Sequence, residues 1–471
     1  MGHDIGTAAG LDAARSGDVI FVDFRPRMAD ITKPGCFRIR WCCANCARGG
    51  ETLAREQVVL DLTGMPTKQK TRFTVGGVTA PKGFRAAGVE AGIKYANRKD
   101  FALLVSDKPA AAAAVFTTNQ VAAAPVQLDR AHIRSGRAQA VAINSGCANA
   151  CTGRIGMHNA RTMVRATAEA LGIDEKLVLI CSTGVIGANL PIDRIVAGAR
   201  LAARSLRRTG GPDAARAIMT TDTVEKQVAL KLKIDGKDVA IGGMCKGSGM
   251  IEPMMATMLG FLTTDAAVDV RALRQVLQSV ADASFNRVVV DGDRSTNDTL
   301  ILLANGAAGN RVLSPAHPQW DVFHEALRTV AIALAKKMVL DGEGATKMVT
   351  VHVTGARSTR DAQLAARAIA KSALVKTSWF GVDPNWGRVI CAAGYSGALV
   401  NDQKAQIWYG DVCAYDRGRV PDAATLRKLK AAMRGRAFDV TVNLNLGKGE
   451  DTIFTCDFSL DYVKINADYT T

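Results

Sequence analysis

The 471-residue chain contains no uninterrupted apolar stretch near the roughly 20 residues that cross a bilayer. Its longest bland run, Pro109 to Phe116, is short and mostly alanine, so a membrane span is not expected. Disulfide-framework spacing is also missing. The eleven cysteines are an odd count, and most sit inside apolar runs, as Cys181 and Cys391 do, which suits a reducing cytoplasm. The one cluster, Cys36, Cys42, Cys43 and Cys46, holds a single CxxC. Neither a second pair nor nearby histidines follow it, so no metal site is expected. The six histidines are dispersed and none pairs with a nucleophilic serine or cysteine, which argues against a Ser-His-Asp arrangement. Phosphate loops are absent too: there is no GxxxxGK[ST] and no strand-led GxGxxG, and Gly342 with Gly344 does not form one. Asp291-Gly292-Asp293 with Asp298 lacks the spacing and terminal glutamate of a calcium loop and reads as turn stabilisation.

What is present is a large apolar fraction, 48 %, enough for two domains or one large layered domain. The net charge of +16 allows nucleic acid, an anionic surface or small acidic substrates as partners. The basic residues are scattered, however. The short clusters Arg204 to Arg208 and Arg427 to Lys430 lie in alanine-rich, helix-like stretches without aromatic neighbours, and read as solvated helix faces rather than a nucleic-acid surface.

Residues 1–70 differ from the rest, with mixed charges and little periodicity. A secretory signal is not visible, and acids at Asp4, Asp12, Asp18, Asp23 and Asp30 do not suit a mitochondrial presequence. The region is expected to be a poorly ordered extension, and the protein to be cytoplasmic. From Val75 onward strand-like and helix-like segments alternate, giving a mixed α/β class. Residues 177–181 read as a buried strand feeding the turn Ser182 to Gly187. A helix follows Pro318, with Phe323, Leu327, Val330, Leu334 and Met338 on one face. Val440 to Leu446 and Phe454 to Leu460 alternate as half-buried strands.

The segment that carries chemistry is Lys246-Gly247-Ser248-Gly249-Met250-Ile251-Glu252-Pro253-Met254-Met255-Ala256-Thr257-Met258-Leu259. A threonine hydroxyl is a weak nucleophile unless a base sits beside it. A free N-terminal amine on the same residue is such a base, with an unperturbed pKa of about 8. Releasing it requires breaking the Ala256–Thr257 bond. The hydroxyl can attack the preceding carbonyl if the backbone is strained, and Gly249 and Pro253 are residue types that hold unusual turns. By itself, the stretch also reads as an ordinary loop before a core strand.

The segment resembles the self-cleavage site of the ornithine acetyltransferase, or bifunctional glutamate N-acetyltransferase, family. Further blocks resemble that family in order. They are Val78 to Phe84, Asn144 to Ala150, Ser182 to Gly187, Met219 to Thr223, Asp291 to Asp298, Asp341 to Lys347, Asp383 to Arg388 and the terminal Asn466 to Thr471. The resemblance covers residues 75–471. It implies a layered α/β sandwich of the self-cleaving N-terminal-nucleophile type with a smaller C-terminal α/β domain. The chain would divide into an α chain, 75–256, and a β chain, 257–471, assembled as two of each.

The resemblance further implies that Thr257 is the nucleophile, that Thr183 and Gly184 form the oxyanion hole, and that Thr223, Lys246, Thr257, Glu343, Asn466 and Thr471 bind substrate. The reaction implied is acetyl transfer from N-acetylornithine to glutamate in arginine biosynthesis, without metal or organic cofactor. Acetyl-coenzyme A as a second donor is left open. The departures are Met254, where asparagine is expected, and Ile192, where methionine often stands. The alternative function is an N-terminal-nucleophile amidase or aminopeptidase, in which water takes the acyl group.

Overall fold

The computed structural model describes residues 39–42, 57–60, 72–94, 96–252 and 258–468. The chain divides into two units, Met1–Lys68 and Gln69–Thr471. In the first, β1 (Ile39–Cys42) pairs antiparallel with β2 (Gln57–Leu60), Ile39 opposite Leu60. The rest of the expected extension, with Cys36, Cys43 and Cys46, lies outside the described residues.

In the second unit the strands are β3 (Arg72–Thr74), β4 (Phe84–Val89), β5 (Phe101–Phe116), β6 (Arg137–Cys147), β7 (Val178–Val185), β8 (Lys226–Ile234), β9 (Lys237–Lys246), β10 (Leu259–Thr264), β11 (Val288–Val289), β12 (Thr299–Ala304), β13 (Met348–Ala356), β14 (Gln406–Tyr409), β15 (Val412–Asp416), β16 (Ala437–Asn443) and β17 (Gly449–Cys456). The helices are α1 (Ala124–His132), α2 (Gly153–Leu171), α3 (Ile192–Arg204), α4 (Gly211–Ala217), α5 (Val270–Ala283), α6 (Trp320–Leu340), α7 (Thr359–Lys371), α8 (Ala373–Phe380), α9 (Trp386–Gly394), α10 (Ala423–Ala432) and α11 (Leu460–Asp468). No helix among the described residues is long and apolar enough to cross a membrane.

Nine strands form a mixed sheet in the order β3, β8, β9, β10, β12, β5, β6, β7, with β4 also on β5. Its centre is buried on both faces, as the alternation of side chains shows. Ala102 and Leu104 of β5, Val141 and Ile143 of β6, and Leu179 and Cys181 of β7 enter one core with α4. Phe101, Leu103 and Val105, Ala140 and Ala142, and Val178 and Ile180 enter the other with α2 and α3. The architecture is the layered α/β class expected from the sequence. A second sheet of six strands, in the order β11, β17, β13, β16, β14, β15, packs its own core with α7, α8, α9 and α10.

The alanine-rich run belongs to β5, whose two halves have different neighbours. Phe101–Ser106 pairs with β4, while Ala111–Phe116 pairs with β12. Between them Asp107, Lys108 and Pro109 are exposed, and the β6 ladder lapses from Val105 to Ala110. Pro109 has no N–H to donate, so the ladder breaks where the sequence removes a donor.

The helix after Pro318 is α6, and its five apolar positions are all buried. It lies against β8 and β9 and also against β17, so it joins the two sheets. Leu334 fits over Gly243, where an added Cβ would meet the Leu334 side chain at 2.7 Å. Two strand expectations need shortening. β16 ends at Asn443, before Leu444 and Leu446. β17 ends at Cys456, because the Asp457 carboxylate turns inward to accept the N–H groups of Thr346 and Lys347 at 2.8 and 2.9 Å. Leu460 begins α11 instead, while Phe458 stacks on Tyr462 with ring centres 4.3 Å apart.

Because α6 packs on strands of both sheets and Leu334 is fully buried, Leu334→Ala is expected to destabilise the protein by about 2–5 kcal/mol. Thermal unfolding followed by circular dichroism would show a lowered midpoint, and an unchanged midpoint would contradict this packing.

Candidate functional site

β9 carries Lys246 at its last position, directly across the ladder from Leu259, the first residue of β10. The chain between them passes through the glycine-rich segment, of which residues 253–257 lie outside the described residues. What is described on either side is tightly held. Met250 adopts φ +56°, a conformation that side chains disfavour. The Asp291 carboxylate accepts the N–H groups of both Met250 and Ile251, the latter at 2.8 Å. Gly249 does not supply the unusual turn that the sequence suggested. It supplies space, since a Cβ there would lie 2.4 Å from a Glu343 carboxylate oxygen. The positive φ falls instead on Gly247 and Met250.

Behind Lys246 is a buried charge cluster. Lys226 reaches Asp222 at 2.6 Å and Asp341 at 2.5 Å, and Lys246 lies 3.7 Å from the other Asp222 oxygen while donating to the Thr220 hydroxyl at 2.7 Å. Asp222 also accepts Gly247 N–H at 2.7 Å, and its side chain is fully buried. Burial by itself would raise the Asp222 pKa, but the Lys246 and Lys226 ammonium groups outweigh it and hold the carboxyl well below its usual range. Lys226 is shifted upward: burial opposes its charge, and Asp222 and Asp341 more than restore it. Lys246 is shifted downward, first by burial and then by Lys226, with Asp222 and Glu343 opposing.

β7 continues through Thr183 and Gly184 rather than turning at Ser182 as expected. Gly184 takes φ +130° and lies so close to β6 that a Cβ would sit 2.3 Å from the Gly146 carbonyl carbon. This edge is fixed by two asparagines. Asn144 donates to Cys147 O at 2.8 Å and accepts from Ser182 Oγ at 2.6 Å. Asn297 donates to Ala148 O and Ser182 O at 2.7 and 2.9 Å. The Thr183 hydroxyl has no hydrogen-bond partner among the described residues.

These elements line one cleft that is open to solvent. Thr183 and Gly184, Lys246, Glu343 and Asn466 all line it, from four separate parts of the chain. Asn466 on α11 donates to Glu343 at 2.9 Å, docking the C-terminal helix on the loop after α6. The cleft therefore offers one buried cation opposite carboxylates at Glu343, Asp291 and Asp293. Thr223 is not among the lining residues. It is exposed, and its N–H and hydroxyl bind Asp341, whereas Thr220 and Thr221 face the cleft. Ala256, Thr257 and Thr471 lie outside the described residues. Sequence reasoning did not single out Lys226, Asp222 and Asp341 individually, nor Asn297 and Tyr462. For Asp222, Asp341 and Asn297 the signal was membership of the family-like blocks, which does not say which side chain faces where, while Lys226 and Tyr462 lie outside those blocks.

The depressed Asp222 pKa has a definite sign in stability. Its contribution is complete above the unfolded carboxylate pKa of about 4 and is lost as pH falls through the lower folded value. Asp222→Asn should therefore cost about 3–5 kcal/mol at pH 7, with the gap to wild type narrowing below about pH 4. Denaturant titrations across that range would measure it, and a gap independent of pH would contradict the charge assignment.

A model of the ArgJ family matches residues 85–471. The arginine biosynthesis bifunctional protein ArgJ of Symbiobacterium thermophilum is 52 % identical over 401 residues, 85 % of this chain and 100 % of that protein. The protein of the same name from Bacillus subtilis is 43 % identical over 399 residues, 84 % of this chain and 97 % of its own. Among solved structures, the arginine biosynthesis bifunctional protein of Bacillus halodurans is 42 % identical, covering 45 % of this chain and 100 % of that chain, with a TM-score of 0.44. The ornithine acetyltransferase of Mycobacterium tuberculosis, complexed with ornithine, is 45 % identical, covering 39 % of this chain and 98 % of its own, with a TM-score of 0.37. With the family match spanning residues 85–471 and curated relatives aligned over nearly their whole length, the chain belongs to the ArgJ family.

Proposed function

We propose that this chain is a glutamate N-acetyltransferase of arginine biosynthesis that cuts itself between Ala256 and Thr257 and then uses Thr257 as an N-terminal nucleophile. The observation that carries the reading is the convergence on one cleft of Thr183, Gly184, Lys246, Glu343 and Asn466, residues up to 283 positions apart whose chemistry suits an amino-acid substrate.

In the first half-reaction the Thr257 hydroxyl attacks the acetyl carbonyl of N-acetylornithine, and its proton passes to the Thr257 amine. The carbonyl oxygen becomes an oxyanion, for which the Thr183 hydroxyl and the Gly184 N–H are the donors. The carbon–nitrogen bond then breaks, the departing ornithine amine takes the proton, and an acetyl ester remains on Thr257. In the second half-reaction glutamate's amine attacks that ester, and N-acetylglutamate leaves with the threonine hydroxyl restored. Lys246 suits a substrate carboxylate, and Glu343, steadied by Asn466, suits a side-chain ammonium. Thr223 supports the site through Asp341, and Thr471 is assigned to substrate on the family resemblance. The steps require no metal or organic cofactor. Assembly as two α and two β chains and a cytoplasmic location complete the proposal.

Purified protein should run as two chains on a denaturing gel, the second beginning Thr-Met-Leu-Gly. Thr257→Ala should leave one uncut, inactive chain, and Thr257→Ser should retain cleavage and part of the activity. The cut protein mixed with N-acetylornithine alone should gain one acetyl group on Thr257 by mass spectrometry. Acetate release at a rate independent of glutamate would favour the amidase instead, and full activity in Thr257→Ala would exclude the mechanism. Replacing N-acetylornithine by acetyl-coenzyme A in the same assay decides whether it is a second donor.

Thr183→Ala should spare cleavage while lowering kcat by about a hundredfold or more, the usual effect of losing one oxyanion donor. Steady-state kinetics on the cut variant would test this, and a change confined to KM would remove Thr183 from that role.

A further inference from the structure

The loop from Asp291 to Asp298, between β11 and β12, grips the chain on both sides of residues 253–257. On the near side, Asp291 accepts Met250 and Ile251 N–H, and Val290 and Gly292 donate to Ile251 O at 2.9 and 3.3 Å. Glu252, also buried, is held by Arg294 at 3.0 Å and by Lys371 of α7 at 2.9 Å. On the far side Asp298 Oδ1 accepts Met258 N–H at 3.0 Å. Met258 O then accepts Thr299 N–H at 3.2 Å, and the parallel β10–β12 ladder begins.

Asp298 is an unusual residue to find there for a turn former. It is fully buried, and among the described residues its second oxygen, Oδ2, has no hydrogen-bond partner. Nearby, Thr117 donates to Ser295 O at 2.9 Å and Ser295 Oγ accepts Asn297 N–H at 3.0 Å. A buried unpaired carboxyl oxygen is costly and is retained where the remaining contact matters. Burial raises the Asp298 pKa well above the usual carboxylate range, and the Met258 N–H, Thr117 and Lys246 only partly offset it.

We propose that Asp298 is a positioning residue for the chemistry at Thr257, fixing the peptide unit immediately after the nucleophile through its bond to Met258 N–H. The proposal rests on the reading of Thr257 given above. Asp298 acts through the backbone and takes no proton from substrate. Its neighbours Asn297 and Arg294 tie the same loop to Ser182 O, beside Thr183, and to Glu252. One loop therefore ties Met258, the residue after the nucleophile in sequence, to the strand edge that carries Thr183 and Gly184. Misplacing reacting groups by about 1 Å can cost on the order of a hundredfold in rate.

The test compares Asp298→Asn and Asp298→Ala in the full chain, measuring the time course of self-cleavage on denaturing gels and then kcat and KM for N-acetylornithine and glutamate. Asp298→Asn keeps a carbonyl oxygen for Met258 N–H, so cleavage rate and kcat should stay within about threefold of wild type. Asp298→Ala should slow cleavage at least about tenfold, and its cut fraction should show a kcat at least about tenfold lower with both KM values within about twofold. Wild-type rates in Asp298→Ala, an effect confined to KM, or an Asp298→Asn as impaired as the alanine variant would each overturn the positioning role. Should Asp298→Ala not fold, Asp298→Asn decides by itself, since activity in it supports the role and inactivity removes it. A wild-type chain that never cleaves would instead defeat the reading of Thr257 and leave the two failures distinguishable.

Discussion

The cleft depends on keeping two lysines and two aspartates charged out of water. Asp222, Lys226, Asp341 and Lys246 are each less than one-tenth exposed, and removing any one strands an opposite charge in a low-dielectric interior. That constraint dictates much of the neighbourhood. Asp341 must arrive at the end of α6, which fixes the loop carrying Glu343. Thr223 must turn outward to cap Asp341. Gly247 N–H must point at Asp222, which sets the direction in which the glycine-rich segment leaves β9. The downward shift of Lys246 follows first from its burial and then from sharing one aspartate with a second buried ammonium. An incoming carboxylate would give Lys246 the partner that Asp222 at 3.7 Å only partly provides.

The second organising element is the sheet register. Leu259 stands opposite Lys246 on one side and Thr299 on the other, so the ends of β9, β10 and β12 meet at one level. Asn297, two positions ahead of β12, then reaches sideways to Ala148 and Ser182 and recruits the β6–β7 edge. At that edge Gly146 and Gly184 allow a backbone approach that no side chain would permit.

How much of this was legible in the sequence follows from how local each determinant is. The five apolar positions of α6 announce themselves because three- and four-residue spacing is a property of the segment itself. β7 was equally plain up to Cys181, but its continuation through Thr183 and Gly184 depends on Gly146, 38 positions earlier, lying close enough to accept it. The strand expected from Phe454 to Leu460 had the right alternation but stops at Cys456. Asp457 ended it by bonding to residues 110 and 111 positions away, which no local pattern records. Thr223 was placed with the substrate positions, and only the arrival of Asp341, 118 residues later, makes Thr220 and Thr221 the threonines that face the cleft. Asp298 read as a turn former because the pairing that buries it is made by strands on either side of it.

The order of strands also bears on what a cut between Ala256 and Thr257 would do to the fold. The first product would contribute β3, β8 and β9 on one side of the large sheet and β5, β6 and β7 on the other. The second would contribute β10 and β12, inserted between them. Separating the products would require unzipping the β9–β10 and β12–β5 ladders, six residue pairs each, and exposing Phe261, Leu262, Leu300 and Leu302, all fully buried. The glycine-rich connection is therefore not what holds β9 to β10. Once the strands are paired, Leu259 is held opposite Lys246 by the ladder itself, whether or not the chain before it is continuous.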